Sequence, residues 1–347
     1  MKVLVTGHHG YVGSVLAAAM QEAGHEVVGF DTFYYRGCDF GDGSEFEPVL
    51  ERDVRDVQPA DLEGFDAVVH LAALSNDPLG DFNPTWTYDI NRDGTMALAT
   101  AAKEAGVRRF VFASSCSMYG AAEGDAALTE AAPLRPLTPY AESKVAAEEA
   151  LGRLAGNDFA PVSMRNATVY GVSPRLRLDI VLNNLVAWAH TTGAIRLESD
   201  GSSWRPLIHV RDVARAALAL LDAPEEAVRG EAFNIGSDEQ NYRISELAEI
   251  VRDRLPHCKV TLAEGASADP RSYRVDFSKF ESTFPHCRLE WTAERGADEL
   301  ARAYAEAGLT FDDFVGHRYI RLGQLKRLLD AHALDAELRW KPSPTTA

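Results

Sequence analysis

"VTGHHGYVG", residues 5–13, places Gly7, Gly10 and Gly13 at intervals of three, directly after the apolar run Val3-Leu4-Val5. Residues 2–6 read as a short buried strand. The stretch "VGSVLAAAMQEA" (12–23) reads as a helix, ended by Gly24. Glycines where a strand hands over to a helix have two physical uses. They permit a tight turn, and they let an anion approach the free N–H groups of the helix N-terminus, where the dipole favours negative charge. A glycine-rich turn alone is also ordinary turn chemistry, and G-x-x-G-x-x-G differs from the G-x-G-x-x-G dinucleotide spacing. Its neighbours decide between the two.

Working outward, "EVVGF" (26–30) is a second strand followed by Asp31, and "DAVVHLAA" (66–73) and "RRFVFASS" (108–115) are further strands. "APVSMRNATVYG" (160–171) begins as another. Helices fall between them at 91–106, stopped by Gly106, and at 141–155. Apolar strands alternating with helices predict an α/β fold, a doubly wound parallel sheet covered on both faces, with right-handed crossovers. Asp31 stands 18 positions beyond Gly13, close to the ~20 at which a carboxylate meets the adenosine ribose hydroxyls of a bound dinucleotide. A carboxylate there repels a 2′-phosphate and favours NAD over NADP. Arg36 is the opposing signal, because an arginine nearby accommodates that phosphate, and the plain alternative for Asp31 is a solvated loop acid. After Gly171 the pattern loosens into helices near 180–191, 211–222, 244–254 and 294–307, with short strands and proline-bearing loops between. That region reads as a smaller lobe closing over the carboxyl ends of the strands.

Composition narrows the partners. The chain has 347 residues, 46% hydrophobic and 25% charged, with a formal net charge of −17. So acidic a chain is a poor nucleic-acid binder. Cys38, Cys116, Cys258 and Cys287 form no C-x-x-C pair, so neither a metal site nor a disulfide framework is expected, and a reducing compartment is the simple reading. Met1-Lys2 leads into too few apolar residues for a signal peptide, and no apolar run is long enough to span a membrane. A cytoplasmic protein without a membrane partner is therefore expected. The one short biased segment is Pro342–Ala347.

Tyr140 and Lys144 are spaced i,i+4 at the start of a predicted helix and so share a face. An ammonium beside a phenol stabilises the phenolate and is expected to lower a pKa that is ordinarily about 10. That makes Tyr140 a general acid/base usable near neutral pH. Ser114 and Ser115 end the strand before this helix, at the side of the sheet where ligands bind. Their hydroxyls can hold the oxygen whose proton the tyrosine takes. Surface pairs and turn serines are the plain alternatives for each feature alone; the three together, in this order, are far more specific.

"TGHHGYVG", "SSCSMYG" and "YAESK" resemble the extended short-chain dehydrogenases/reductases that modify nucleotide sugars, of the 4-epimerase type, over roughly residues 1–300. The resemblance implies a Rossmann-type domain over 1–170, to which 205–235 returns, a nucleotide-sugar-binding lobe over 171–308, and a C-terminal extension at 309–347. It implies NAD as cofactor, held by Gly7, Gly10, Tyr11, Val12, Gly13 and Asp31, by Asp53 and Val54 of "RDVRD", by Leu71, Ala72 and Ala73 of "HLAA", and by Asn91, Tyr140 and Lys144. It makes Ser115, Tyr140 and Lys144 catalytic. A nucleotide-diphosphate sugar would be met by Ser115, Ser117, Asn184 of "VLNNLV", Arg205 of "SWRPLIHVRD" and Arg271 of "DPRSYR". Pro206 and Leu207 depart from the Asp-Tyr usual after that first arginine. A homodimer pairing the helices near 91–106 and 141–155 is also implied. The amphipathic "RYIRLGQLKRLL", beyond the resemblance, reads as packing or a subunit contact.

Within that group the reaction depends on side chains following the catalytic serine. Dehydratases carry an Asp-Glu pair there; this chain has Cys116 and Ser117. The glutamate usual in decarboxylases is missing as well. The 3,5-epimerases use a cysteine two positions before the tyrosine; Cys116 is three before Tyr119 and reads as a small buried residue. Epimerisation at C4 through a transient ketone is the most economical chemistry. A dehydratase or decarboxylase drawing its acid/base from elsewhere, a 4-ketoreductase and a non-catalytic dinucleotide sensor remain as alternatives.

Overall fold

Along β1 (Lys2–Thr6) successive side chains leave on opposite faces, Val3 and Val5 into one core and Leu4 into another. The same alternation repeats in β2 (Glu26–Asp31), β4 (Ala67–His70) and β5 (Arg109–Ser115), where Val27, Val69 and Val111 join Val3 while Val28, Val68 and Phe110 join Leu4. Strands apolar on both sides must be covered on both sides. The structure is a computed structural model that describes residues 1–41, 46–121 and 126–342. In it, β3 (Val49–Glu51) and β6 (Ala160–Asn166) extend this sheet, and the chain then leaves it. It passes through β7 (Thr168–Tyr170), β8 (Ala194–Leu197) and β9 (Trp204–His209) and returns with β10 (Ala232–Ile235). The seven-stranded order is β10-β6-β5-β4-β1-β2-β3, with every pairing parallel. This is a Rossmann-type doubly wound sheet. The order reverses between β1 and β4, and the carboxyl ends of these strands open the crevice in which such sheets bind ligands.

Two helices cover one face, α1 (Tyr11–Glu22) and, from late in the chain, Val210–Asp222. Leu16, Ala17 and Met20 of the first meet Val213, Ala217 and Leu220 of the second in one core. The other face is covered by α2 (Gly94–Glu104) and α3 (Pro139–Leu154). Gly24 and Gly106, with φ of +88° and +81°, stop α1 and α2 where the sequence places the breaks. The helix expected from 91 is preceded by a wider π turn, Tyr88–Asp93, and the strand expected over 66–73 ends at His70. Leu71 to Ala73 are thereby released from the sheet to line a cavity.

The second lobe holds the three-stranded sheet β11-β9-β7, with β11 at Asn241–Arg243, and the pair β8 and β12 (Lys259–Leu262). Around them pack α4 (Val181–Thr192), α5 (Ile244–Arg254) and α6 (Ala293–Ala307), forming a third core. The C-terminal segment crosses back to the first lobe. On α7 (Arg321–Asp330) Leu325 and Leu328, followed by Leu334 and Leu338, enter the core that contains Leu4 and Val68. Beyond Pro342 the short biased tail lies outside the described residues. Among the described residues no helix is long and apolar enough to cross a membrane.

Candidate active site

The carboxyl ends of the parallel strands and the second lobe enclose a cavity of about 600 Å³. The glycine turn forms its floor, and its shape excludes side chains. A Cβ at Gly7, where φ is +72°, would lie 2.7 Å from the Ala72 nitrogen, and one at Gly13 only 2.1 Å from the Gly7 carbonyl oxygen. Gly10, Tyr11, Val12 and Gly13 line the cavity at the N-terminus of α1, whose cap offers no side-chain hydrogen bond to the turn. Asp31 ends β2 beside it. Its carboxylate accepts the backbone N–H of His9 at 3.0 Å and that of Phe33 at 2.8 Å, stitching the turn to the strand end. Arg36 is exposed, ion-paired with Glu51 at 2.9 Å, and is not part of the wall. Asp53, Val54, Leu71, Ala72 and Ala73 complete this side. Asp53 caps its own short turn and is ion-paired with Arg55 at 2.6 Å and with Arg339 at 3.2 Å.

Ser115, Tyr140 and Lys144 come together on the far wall. Ser115 is the last residue of β5 and caps the 3-10 turn Cys116–Tyr119, accepting the Ser117 N–H at 3.1 Å. Its hydroxyl lies 2.9 Å from Ser117 Oγ and makes a hydrogen-bonding contact with the Tyr140 phenol. Tyr140 sits in the first turn of α3, fixed by the Thr138 cap and by Pro139 in the first helical turn. Lys144 follows one turn on, and its Nζ donates to the Ala113 carbonyl at 2.7 Å. That placement corrects one expectation. Burial is the leading influence on both groups: it pushes the Tyr140 phenol up to about 12, against the hydrogen bond from Ser115, and it pulls the Lys144 ammonium down to about 7. With Lys144 turned to a backbone carbonyl, desolvation of the phenolate outweighs any help from the ammonium.

Two residues assigned from the sequence are not in the cavity wall. Asn91 is fully buried behind it; its side chain pairs with both the N–H and the carbonyl of Leu74 and donates to Ser143 Oγ at 3.2 Å. It holds the loop after β4 against the first turns of α3. Asn184 donates to the Leu178 carbonyl at 2.9 Å, securing the chain ahead of α4, while Ile180 and Val181 face the cavity instead. Cys116 is buried, its thiol donating to the Arg165 carbonyl at 3.0 Å, and burial pushes it well above the usual thiol range. It is not a cavity residue, which agrees with its reading as a packing residue.

Arg205 and Arg271 both line the cavity and share Asp269: Arg205 Nη2 lies 2.8 Å, and Arg271 Nη2 2.7 Å, from its Oδ2. Arg271 also ion-pairs with Asp77, whose other oxygen accepts the Thr138 hydroxyl at 2.8 Å. Cavity residues that the sequence reading missed include Ser75, Asp77, Arg177, Asp179 and Arg321. Asn76, Asp77 and Pro78 form a recognisable helix start. Arg177 and Asp179 alternate along an extended segment, and Arg321 belongs to the tail, where neither composition nor resemblance marks it.

The cradle fits the group that the glycine turn predicts: the turn packs backbone on backbone, and Gly10 to Gly13 bring a helix N-terminus without a side-chain cap to the cavity, where its N–H groups suit a diphosphate. The model of the NAD dependent epimerase/dehydratase family matches residues 3–236. A UDP-glucose 4-epimerase of Streptomyces lividans is 38% identical over 182 residues, 51% of this chain and 55% of that one. One from Corynebacterium glutamicum is 29% identical over 313 residues, covering 85% and 91%. Among solved structures, an NAD-dependent NDP-hexosamine 5,6-dehydratase, TunA, involved in tunicamycin biosynthesis, superimposes with a TM-score of 0.79 at 25% identity, covering 88% of this chain and 98% of that one. With the parallel sheet, the glycine turn and the Ser-Tyr-Lys wall in place, the chain belongs to the NAD-dependent epimerase/dehydratase family.

Proposed function

We propose that this enzyme epimerises a nucleotide-diphosphate hexose at C4 with NAD as a resident cofactor. The observation that carries the reading is the wall itself. Ser115, Tyr140 and Lys144 converge on the cavity, while Cys116, at the position of a dehydratase acid, is turned into the core. When bound, NAD supplies reversible hydride acceptance. The glycine turn and Asp31 would hold its diphosphate and adenosine ribose, the Leu71–Ala73 segment its length, and Lys144 its nicotinamide ribose. Tyr140 takes the proton of the C4 hydroxyl and later returns it, with Ser115 keeping that oxygen within reach. Arg205 and Arg271 bind the sugar nucleotide's diphosphate, exchanging part of their Asp269 and Asp77 contacts for bidentate phosphate bonds. Ser117 adds a hydroxyl beside the sugar. The enzyme works as a homodimer, a reading that rests on the family resemblance.

A second reading, elimination of water, is favoured by one feature: the Asp77 carboxylate lines the cavity on the same side as Tyr140, near enough to oppose its ionisation. The solved dehydratase has the same fold. Turnover in D₂O separates the two. C4 epimerisation returns the same hydride, so NMR and mass spectrometry of the product should find no carbon-bound deuterium, no loss of mass and no net NADH. Deuterium at C3, C5 or C6, or loss of water, would overturn the epimerase reading and point to Asp77 as the second acid/base.

A further inference from the structure

Arg177 and Arg321 both line the cavity, yet they are only 6% and 3% exposed. Each commits part of its guanidinium to the protein. Arg177 donates through Nε to Asp179 at 2.8 Å and through Nη1 to Ser75 Oγ at 2.9 Å. Arg321 donates through Nη2 to the Arg175 carbonyl at 2.8 Å, and its guanidinium lies 4.1 Å from the centre of the Tyr35 ring. Among the described residues, Arg177 Nη2 and Arg321 Nη1 have no hydrogen-bond partner. Buried donors on charged groups are costly when unmet. Both belong to side chains of one cavity wall and lie just beneath its surface, where a small rotation of each guanidinium would present them to an anion.

The charges around them agree. Asp179 is the carboxylate near both: it takes the Arg177 Nε–H at 2.8 Å, an amide N–H from Asn76 at 2.8 Å and the backbone N–H of Arg321 at 3.3 Å. Two buried guanidinium groups thus have one carboxylate near enough to feel both charges, and only Arg177 contacts it through its side chain, leaving one positive charge in excess. Neighbouring Arg175 has its own partner in Asp39. Arg205 and Arg271, by contrast, have both Asp269 and Asp77. Burial lowers the pKa of Arg321, whereas Asp179 outweighs burial at Arg177 and raises it, so the under-compensated cation of the two is Arg321.

Their location identifies the ligand. Ser75 lies two residues past Ala73, and Tyr35 four past Asp31, so both anchors continue segments that flank the glycine turn. The chain leading to Arg177 is bonded to that turn, with Ser173 Oγ donating to the Tyr11 carbonyl at 2.7 Å and the Tyr11 hydroxyl donating to the Gly171 carbonyl at 2.7 Å. We propose that Arg177 and Arg321 form a clamp over the diphosphate of the dinucleotide, opposite the backbone N–H groups of the glycine turn. Arg321 is supplied by a helix far outside the 3–236 region that matches the family. The clamp rests on the NAD reading and adds to it: retention of the cofactor depends on the C-terminal helix.

The test measures binding, not turnover. Wild-type, Arg177→Gln and Arg321→Gln proteins are freed of nucleotide and titrated by calorimetry with ADP-ribose, with adenosine and with UDP. Loss of one charge-assisted contact should weaken ADP-ribose by about tenfold or more, with adenosine and UDP changed by less than about twofold. Unchanged ADP-ribose affinity in both variants overturns the clamp. Weakened UDP with intact ADP-ribose overturns it too, by giving the pair to the sugar nucleotide. If the wild-type protein itself fails to bind ADP-ribose, the NAD reading is what fails. Should a glutamine variant not fold, a crystal structure of the wild-type protein with ADP-ribose decides: diphosphate oxygens within hydrogen-bonding distance of Arg177 Nη2 and Arg321 Nη1 support the clamp, and any other position refutes it.

Discussion

Replacing Lys144 by Met should change how the stability of the nucleotide-free protein depends on pH. The ammonium is 3% exposed and burial brings its pKa from 10.5 down to about 7. The sign follows from proton counting. Between pH 7 and 10.5 the unfolded chain keeps this proton while the folded chain has released it, so stability rises with pH through that window; below about 7 both states are protonated and the full cost of the buried charge is present. At 1.36 kcal/mol per pKa unit, and with the folded group half protonated at pH 7, the wild-type protein should gain about 2 kcal/mol from pH 7 to pH 9 that Lys144→Met does not gain. The variant also leaves the Ala113 carbonyl without its donor, a cost of about 1–3 kcal/mol that does not vary with pH and so drops out of the comparison. The assay is urea unfolding of both proteins at several pH values, with the difference in unfolding free energy plotted against pH. Parallel curves would refute the reasoning and mean that Lys144 stays charged in the ligand-free pocket.

Tyr140→Phe should lower kcat by roughly 10²–10⁴-fold while sparing NAD binding, and Ser115→Ala should act in the same direction; steady-state kinetics with a nucleotide-content assay checks both. Gly13→Ala drives a Cβ to 2.1 Å from the Gly7 carbonyl oxygen, so the variant should purify without NAD and melt at lower temperature, as read by absorbance ratio and calorimetry. Arg205→Ala and Arg271→Ala should each raise KM for the sugar nucleotide and weaken inhibition by free UDP. Normal values for both in competition kinetics would place the substrate's diphosphate elsewhere.

The parts of this molecule legible in the sequence are those whose signal is local. A buried strand, three glycines and an amphipathic helix share one short stretch, and their spacing alone requires a close backbone approach, which the near-contact at Gly7 and Gly13 displays. Ser115, Tyr140 and Lys144 were readable because a strand end and one helical turn fix their geometry. Asn91 stands one layer behind the cavity wall and Asn184 outside it, because a motif position specifies a residue but not where its amide points, and each amide is used on a nearby backbone. The net shift at Tyr140 runs opposite to the sequence reading because desolvation depends on how deep the cavity lies, which no spacing encodes. Arg177, Asp179 and Arg321 were missed for a related reason: Arg321 stands 144 positions from Arg177, and only tertiary contact brings both to one stretch of the cavity wall.

The return of the C-terminal segment to the first lobe has a consequence for biosynthesis. Leu325, Leu328, Leu334 and Leu338 fill the same core as Leu4, Val28 and Val68, the Trp340 indole donates to the Thr32 carbonyl at 2.6 Å, and the Tyr34 hydroxyl donates to the Leu338 carbonyl at 2.5 Å. While a ribosome is still translating, the N-terminal half emerges first and tends to organise first, yet the part of this sheet face that α2 and α3 leave to Leu325, Leu328, Leu334 and Leu338 stays open until that segment has been made. On the proposed clamp, a polypeptide that stops before Arg321 would carry the whole 3–236 region that matches the family and yet lack one of the two arginines that hold the dinucleotide.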